Sequence, residues 1–262
     1  MNLQLDDRTV LITGGSRGIG FACAAAFLAE GARVALVSRD PQRLEHAAAR
    51  LHSAGDYPVL VVAADLTRPD EARRAVEIVT GELGGVDVLV NSAGAAKRYL
   101  PEQLTAESWH AAMEAKYFTY IHTMDALLPA MAANGGGAIV NIIGMGGKVA
   151  TPIHLPGGAA NSALMLATVG LAHVYGPKGV RINAINPGAV RGERLDDALN
   201  LESDKRGVPP AELLQAGEAR VPLGRYADPE DIARVALFLA SPCANYVTGA
   251  VIPMDGGLNP VL

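Results

Sequence analysis

The sequence predicts an α/β fold, a single domain built on a doubly wound parallel sheet flanked by helices. Three observations predict it. Short, continuously apolar, β-branched runs alternate with longer Ala-rich segments of helical period, the pattern of strands covered on both faces by crossover helices. A glycine-rich turn follows the first of these runs and opens a helix. No linker, repeat or low-complexity tract divides the 262 residues, whose 50% apolar and 19% charged content belongs to a globular chain.

Taken in order, Thr9–Thr13 (TVLIT) reads as a strand and 19–30 as a helix ended by Gly31. The second strand is 33–37. The helix over 41–51 opens with Pro41, whose missing N–H costs nothing in a first turn. Val59–Ala63 is a third apolar strand, followed by a helix over 69–82 and a fourth strand over 86–90. A long helix over 107–131 leads to a strand at 138–143, a strongly apolar helix at 159–174 and a strand at 180–185. Pro229–Ala240 is the last helix and 250–253 a short terminal strand. The stretch 191–222 is polar, carries Pro209-Pro210 and reads as a long irregular insertion, the kind of segment that serves as a substrate lid. Residues 1–262 thus form one domain with an insertion at 191–222.

Composition excludes several functions. A net charge of −5 argues against a broad nucleic-acid-binding face. Two cysteines, Cys23 and Cys243, make neither a disulfide framework nor a zinc site of several thiolates, which points to a reducing, cytoplasmic setting. The start MNLQLDDRTV lacks the basic flank and apolar run of a secretory signal. No uncharged stretch reaches the roughly 18 apolar residues of a membrane span. Histidines at 46, 52, 110, 122, 154 and 173 show no HxxxH or HExxH spacing, so no metal site is expected. Glycine is in excess, with 29 residues or about 11% against a usual share of roughly 7%.

Part of that excess lies in Thr13-Gly14-Gly15-Ser16-Arg17-Gly18-Ile19-Gly20, between the first strand and its helix. Glycines at 14, 18 and 20 permit a tight turn, close approach of backbone N–H groups to a pyrophosphate and close helix–strand packing, and the helix N-terminus adds partial positive charge. At the end of the second strand, where an NAD site commonly holds an acidic residue for the ribose 2′-hydroxyl, stands Ser38, followed by Arg39. Arg17 adds a second guanidinium. Two such groups suit a 2′-phosphate, so the expected cofactor is NADP(H); each alone could also be a solvated surface residue.

With TGGSRGIG (13–20) come Asp65-Leu66 after the third strand, Asn91-Ser92-Ala93-Gly94 after the fourth, VRINAINPG (180–188) and VTGAVIPMDGG (247–257). Through these five ordered blocks the chain resembles the short-chain dehydrogenase/reductase family over essentially its whole length. The resemblance implies a Rossmann-type, seven-stranded parallel sheet. It places Gly14, Ser16, Arg17, Gly18, Ile19 and Gly20 at the glycine turn that binds the cofactor, Asp65 and Leu66 at adenine, Asn91, Ala93 and Gly94 along the adenosine ribose, and counts Pro187, Gly188 and Val190 among the cofactor-binding residues. It also implies a homodimer or homotetramer packed through the fourth and fifth helices. The apolar LMLATVGLAHV (164–174) fits that packing, or simply a core helix.

The same resemblance exposes a departure. Family members that transfer hydride to a carbonyl use a Tyr as general acid or base, a Lys four positions later, a Ser that orients substrate and an Asn that supports a relay water. Counted back without a gap from Val180-Arg181-Ile182-Asn183, the Tyr position is Gly157 and the Lys position Asn161; the Ser position is Gly144 and the Asn position Lys116. None of the seven tyrosines has Lys or Arg four residues on, and Gly192 stands where a Thr usually meets the nicotinamide amide. Glycine can neither give nor accept a side-chain proton, and a missing general acid costs roughly 10²–10⁴ in rate.

Lys116, His154 and Asn161 are the candidate catalytic residues in its place. A partly buried Lys can act as base or Schiff-base nucleophile, and His titrates near neutrality. Lys97, Arg98 and Lys148 lie near the same place in the sequence. Each also has a plainer reading: a structural ion pair for Lys116, a loop residue for His154, a ribose or capping contact for Asn161, solvated cations for the rest. The sequence therefore supports an NADP(H)-binding protein with a degenerate active site. It is either catalytically inactive, as a sensor, scaffold or partner subunit, or an enzyme of non-standard chemistry on a small molecule. The alternative is an ordinary NADP-dependent carbonyl/alcohol oxidoreductase that uses substitute residues.

Overall fold

The structure, a computed structural model, describes residues 2–55, 58–94 and 96–261. Seven strands, β1 (Thr9–Thr13), β2 (Arg33–Ser38), β3 (Val59–Ala63), β4 (Val88–Asn91), β5 (Gly137–Ile142), β6 (Val180–Pro187) and β7 (Val251–Met254), form one sheet. Their order is β3-β2-β1-β4-β5-β6-β7, and every neighbouring pair is parallel. Winding reverses between β1 and β4, so the connections leaving their carboxyl ends diverge and open a crevice there.

Both faces of the sheet are buried, which is why the strands read as unbroken apolar runs. Val10, Ile12, Val34, Leu36 and Val140 face one way, against Phe27 and Leu28 of α1 (Gly18–Ala29), Leu44 of α2 (Pro41–Ala54), and Ile232 and Leu237 of α9 (Pro229–Ala240). Leu11, Val37, Leu89, Ile139 and Ile182 face the other way. They meet Val79 of α3 (Pro69–Leu83), Leu127 and Met131 of α5 (Thr119–Ala133) and Leu164 of α6 (Leu155–Tyr175).

Three elements differ from the sequence expectation. The long helix over 107–131 is interrupted: α4 (Ala106–Ala112) passes through a π-helical turn, Met113–Phe118, before α5. Helix α6 begins at Leu155 rather than 159, with Pro156 in its first turn; at Gly158 it comes so close to the turn after β5 that a Cβ would lie 2.7 Å from the Gly146 carbonyl oxygen. The stretch 191–222 is not irregular. It holds α7 (Glu193–Arg206) and α8 (Pro210–Glu218). α7 buries no residue, so it shows no apolar stripe; its signature is instead Glu193 and Asp196 in the first turn, Lys205 and Arg206 in the last, and left-handed Gly207 as the stop. Pro209-Pro210 starts α8.

Among the described residues one segment, 152–178, is long and apolar enough to cross a membrane. It is α6 with its flanking turns, and half of it is buried against the fold. Among the described residues no group of three His, Cys, Asp or Glu side chains could hold a metal ion.

Candidate active site

The crevice at the carboxyl ends of the strands has two ends built by different means. At the first, backbone meets backbone. Gly14 is left-handed, with φ +67°, and a Cβ there would lie 2.8 Å from both N and Cα of Ala93. A Cβ at Gly20 would collide with the Gly14 carbonyl. Around Gly18, by contrast, there is open space within 4 Å of where a Cβ would point. The N-cap of α1, Arg17, makes no side-chain cap and no acid stands in the first turn. The first N–H groups of α1 are thus unclaimed by any side chain, a fitting seat for a pyrophosphate.

Behind this turn a buried polar ladder ties the strand ends together. The Thr13 hydroxyl donates to Asn91 Oδ1 at 3.3 Å and accepts from the N–H groups of Ser92 and Ala93, both at 3.1 Å. Asn91 Nδ2 donates to Asn141 Oδ1 at 3.0 Å, and Asn141 Nδ2 to the Thr168 hydroxyl at 3.0 Å. The Asn91 side chain is fully buried and spent in this ladder, so it positions the Ser92–Gly94 backbone rather than lining the crevice itself. Asp65 is likewise occupied, accepting from the Thr67 N–H and hydroxyl, with Leu66 buried beside it. Arg39 is exposed and Ser38 half-buried at the end of β2. Arg17, expected beside it at a 2′-phosphate, instead pairs with Glu193, which fastens the start of α7 over the glycine turn. Pro187 ends β6, the Gly188 N–H donates to Met254 O at 2.9 Å, and Val190 bridges to Ala227.

At the second end, glycine backbone meets side chain. The His154 ring occupies the space in front of Gly157: a Cβ at 157 would lie 2.5 Å from Nε2 and 2.8 Å from Nδ1. The buried Asn161 amide lies across from the turn after β5, its Nδ2 3.3 Å from a Cβ placed on Gly144 and 3.6 Å from one on Gly146. Gly144, Gly157, His154 and Asn161 are therefore one cluster. His154 Nδ1 is buried and has no hydrogen-bond partner among the described residues. Such an orphan costs about 1–3 kcal/mol unless something bonds it. Burial first, then the charges of Arg194, Arg98 and Lys116, hold His154 below the usual histidine pKa.

Lys116 sits in the π-helical turn, buried, and does not project into the crevice. Its Nζ donates to the Tyr120 hydroxyl at 2.6 Å and to the Ile142 carbonyl at 2.9 Å, two residues before Gly144. The Tyr120 hydroxyl also donates to that carbonyl. Among the described residues no carboxylate partners the amine, and burial, with a smaller contribution from Arg194, lowers its pKa to about 7. Burial pushes Tyr120 upward.

Arg194 and Tyr120 carry no sequence signal of their own and were not among the expected site residues. Arg194 belongs to the first turn of α7, where the ion pair of its neighbour Glu193 with Arg17 sets the helix against the crevice. Its side chain is exposed, yet partial desolvation and then the charges of Arg98 and Arg17 lower its pKa. Arg98 reaches the same place because the Tyr99 N–H donates to Ile153 O at 3.1 Å. That bond ties the segment after β4 to the turn carrying His154. Lys97 is exposed and apart from this cluster, whereas Lys148 lines a cleft of about 270 Å³ with Trp109, His154 and Ser162. Gly192, with φ +130° and nothing within 4 Å of a Cβ, caps α7.

A family model described as enoyl-(acyl carrier protein) reductase matches residues 14–259. The chain belongs to the short-chain dehydrogenase/reductase family. Among its relatives, an A-factor type gamma-butyrolactone 1′-reductase of Streptomyces virginiae is 36% identical over 255 residues, covering 97% of this chain and 96% of that protein. The L-sorbose reductase of Gluconobacter frateurii, solved with NADPH and L-sorbose, superposes with a TM-score of 0.94 at 31% identity over the whole of both chains. A short-chain oxidoreductase of Pseudomonas aeruginosa, solved with NADPH and described as containing an atypical catalytic center, gives a TM-score of 0.88 at 31% identity over 97% of this chain and 98% of that one. As a short-chain dehydrogenase/reductase, the chain keeps the family's sheet.

Proposed function

We propose that this protein is an NADP(H)-dependent oxidoreductase of small carbonyl or alcohol substrates, with an atypical catalytic centre in which the His154 imidazole takes over proton transfer from the residue replaced by Gly157. The observation that carries this reading is that the ring fills the space in front of Gly157, with Nδ1 buried and unbonded.

The cofactor fits the residues present. The Gly14–Gly20 turn and the uncapped start of α1 would hold the pyrophosphate, Arg39 and Ser38 the 2′-phosphate end, and Gly94, Pro187, Gly188 and Val190 the walls toward the nicotinamide. NADPH-bound relatives at 31% identity support that assignment. When bound, the nicotinamide supplies or accepts the hydride. In reduction, protonated His154 gives its proton to the developing alkoxide; in oxidation, neutral His154 takes the hydroxyl proton. Asn161 holds the substrate oxygen by its amide. Lys116 is a positioning residue: through the Ile142 carbonyl it fixes the approach to Gly144. The exposed side chains of Leu166, Val169 and Val174 on α6 fit the surface of a homodimer or homotetramer.

The sign of the histidine shift sets a pH dependence. Because His154 is held below its usual value, reduction, which needs imidazolium, slows as pH rises through the acid side of neutrality. Oxidation needs neutral imidazole and speeds up as pH rises through the same range. Paired pH–rate profiles in the two directions check this. Steady NADPH oxidation with a panel of ketones and aldehydes tests the reading as a whole. Tight NADPH binding with no turnover of any carbonyl or alcohol would overturn it in favour of a sensor or scaffold.

A further inference from the structure

Two claims meet on the guanidinium of Arg17. The Gly14 N–H donates to Val37 O at 2.7 Å, and a Cβ on Gly15 would lie 2.6 Å from Leu36 Cδ2. The glycine turn therefore lies directly against the carboxyl end of β2, where Ser38 and Arg39 follow. Arg17, two residues beyond Gly15, is the N-cap of α1, and its Nη1 donates to Glu193 Oε2. Arg39 makes no ion pair and no hydrogen bond among the described residues. Of the two cations at the phosphate end, one is free and the other is held by a carboxylate of the same chain.

Glu193 arrives there as the first residue of α7, 176 positions further on. α7 buries no residue, and among the described residues this is the one ion pair that links it to another element. Both partners are exposed, with side-chain exposures of 57% and 70%, so water screens the pair and it opens without stranding a buried charge. A phosphate offers Arg a bidentate pairing and more negative charge than a carboxylate, which makes it the stronger claimant.

We infer that Glu193 is a specificity-determining residue for the cofactor: its carboxylate competes with the 2′-phosphate of NADP(H) for Arg17, and so limits the preference for NADP(H) over NAD(H). This rests on NADP(H) as the cofactor and is independent of the role given to His154. NADP(H) exchanges one Arg17 pair for another, at the expense of opening the first. NAD(H), with a hydroxyl at the same position, has no charge to offer and leaves Arg17 with Glu193.

Dissociation constants for NADPH and NADH, read by nicotinamide fluorescence, are compared in wild type, Glu193→Gln, Arg17→Gln and the double variant. The inference predicts that Glu193→Gln tightens NADPH about two- to fivefold, the range an exposed ion pair contributes, and leaves NADH within about 1.5-fold. Arg17→Gln weakens NADPH about 5- to 20-fold with NADH as the control for an intact fold, and on that background Glu193→Gln no longer tightens NADPH. Equal tightening of NADH overturns the inference, because the competition would then lie at the shared pyrophosphate. A gain that survives without Arg17 overturns it as well. So does NADPH binding that is unchanged or weaker in Glu193→Gln, which would leave Glu193 as an anchor of α7 alone. A wild type that binds neither nucleotide removes the NADP(H) reading and the inference together.

Discussion

The two ends of the crevice both depend on glycine, yet for opposite reasons. At Gly14 and Gly20 the added atom would meet main chain: the Ala93 backbone at 2.8 Å and the Gly14 carbonyl. Main chain cannot step aside, so these positions admit no alternative while the turn keeps its form. At Gly157 the added atom would meet the ring of His154, and at Gly144 the amide of Asn161. Those are side chains, whose rotamers or identities can change. The first kind of glycine is imposed by backbone geometry; the second leaves room that the side chains of His154 and Asn161 fill. On the proposed function, the phosphate end keeps the family's frame and the catalytic end is a rebuilt arrangement rather than an erased one.

This contrast can be broken at either end. Gly20→Val forces the α1 turn away from Gly14, and overpacking of that order costs about 1–3 kcal/mol, which read as affinity is a 10- to 100-fold loss of NADPH binding by calorimetry. Unchanged affinity would remove the distinction between the two kinds of glycine. Gly157→Tyr, which restores the family residue, must displace His154. It lowers Tm by several degrees, at roughly 2–4 °C per kcal/mol for a chain of this size, and does not raise turnover. Combining it with His154→Ala recovers part of the lost Tm; additive losses in the double variant would mean that the two positions do not share one space.

The smallest effect concerns Lys116. Folded, it has a pKa of about 7 against the usual 10.5. Between those values the unfolded chain binds the extra proton, so stability rises with pH across that window, and the cost of burying the ammonium is fully present below about pH 7. Lys116→Met keeps the bulk and removes the charge. Relative to wild type it gains a few degrees in Tm near pH 6, and the gain shrinks toward pH 10. A constant difference across that range would place the Lys116 proton elsewhere.

Much of this was legible in the sequence. β1, β3 and α9 lie at the residues expected, because a strand buried on both faces and a helix opened by Pro229 carry strong local signals. Gly157 stands one turn before Asn161 because both lie on α6, whereas Gly144 meets that amide only through the packing of the turn after β5 against the helix. What could not be read depends on contacts between distant segments. The π-helical turn that buries Lys116 carries no residue signal of its own, so the side chain's aim at Ile142 is invisible in one dimension. α7 lacks a buried stripe, so periodicity passes over it and the role of Arg194 with it, although its acidic start and Gly207 stop are in plain view. The pairing of Arg17 with Glu193, 176 residues apart, is of the same kind.

The rebuilt catalytic end stands or falls on His154. Wild type and His154→Ala, each loaded with NADPH at matched occupancy, are mixed with saturating carbonyl substrate and the first turnover is followed by the loss of nicotinamide absorbance. The account predicts a first-turnover rate lower by about 10²–10⁴ in the variant, with the NADPH dissociation constant unchanged. Equal first-turnover rates in the two proteins would contradict it.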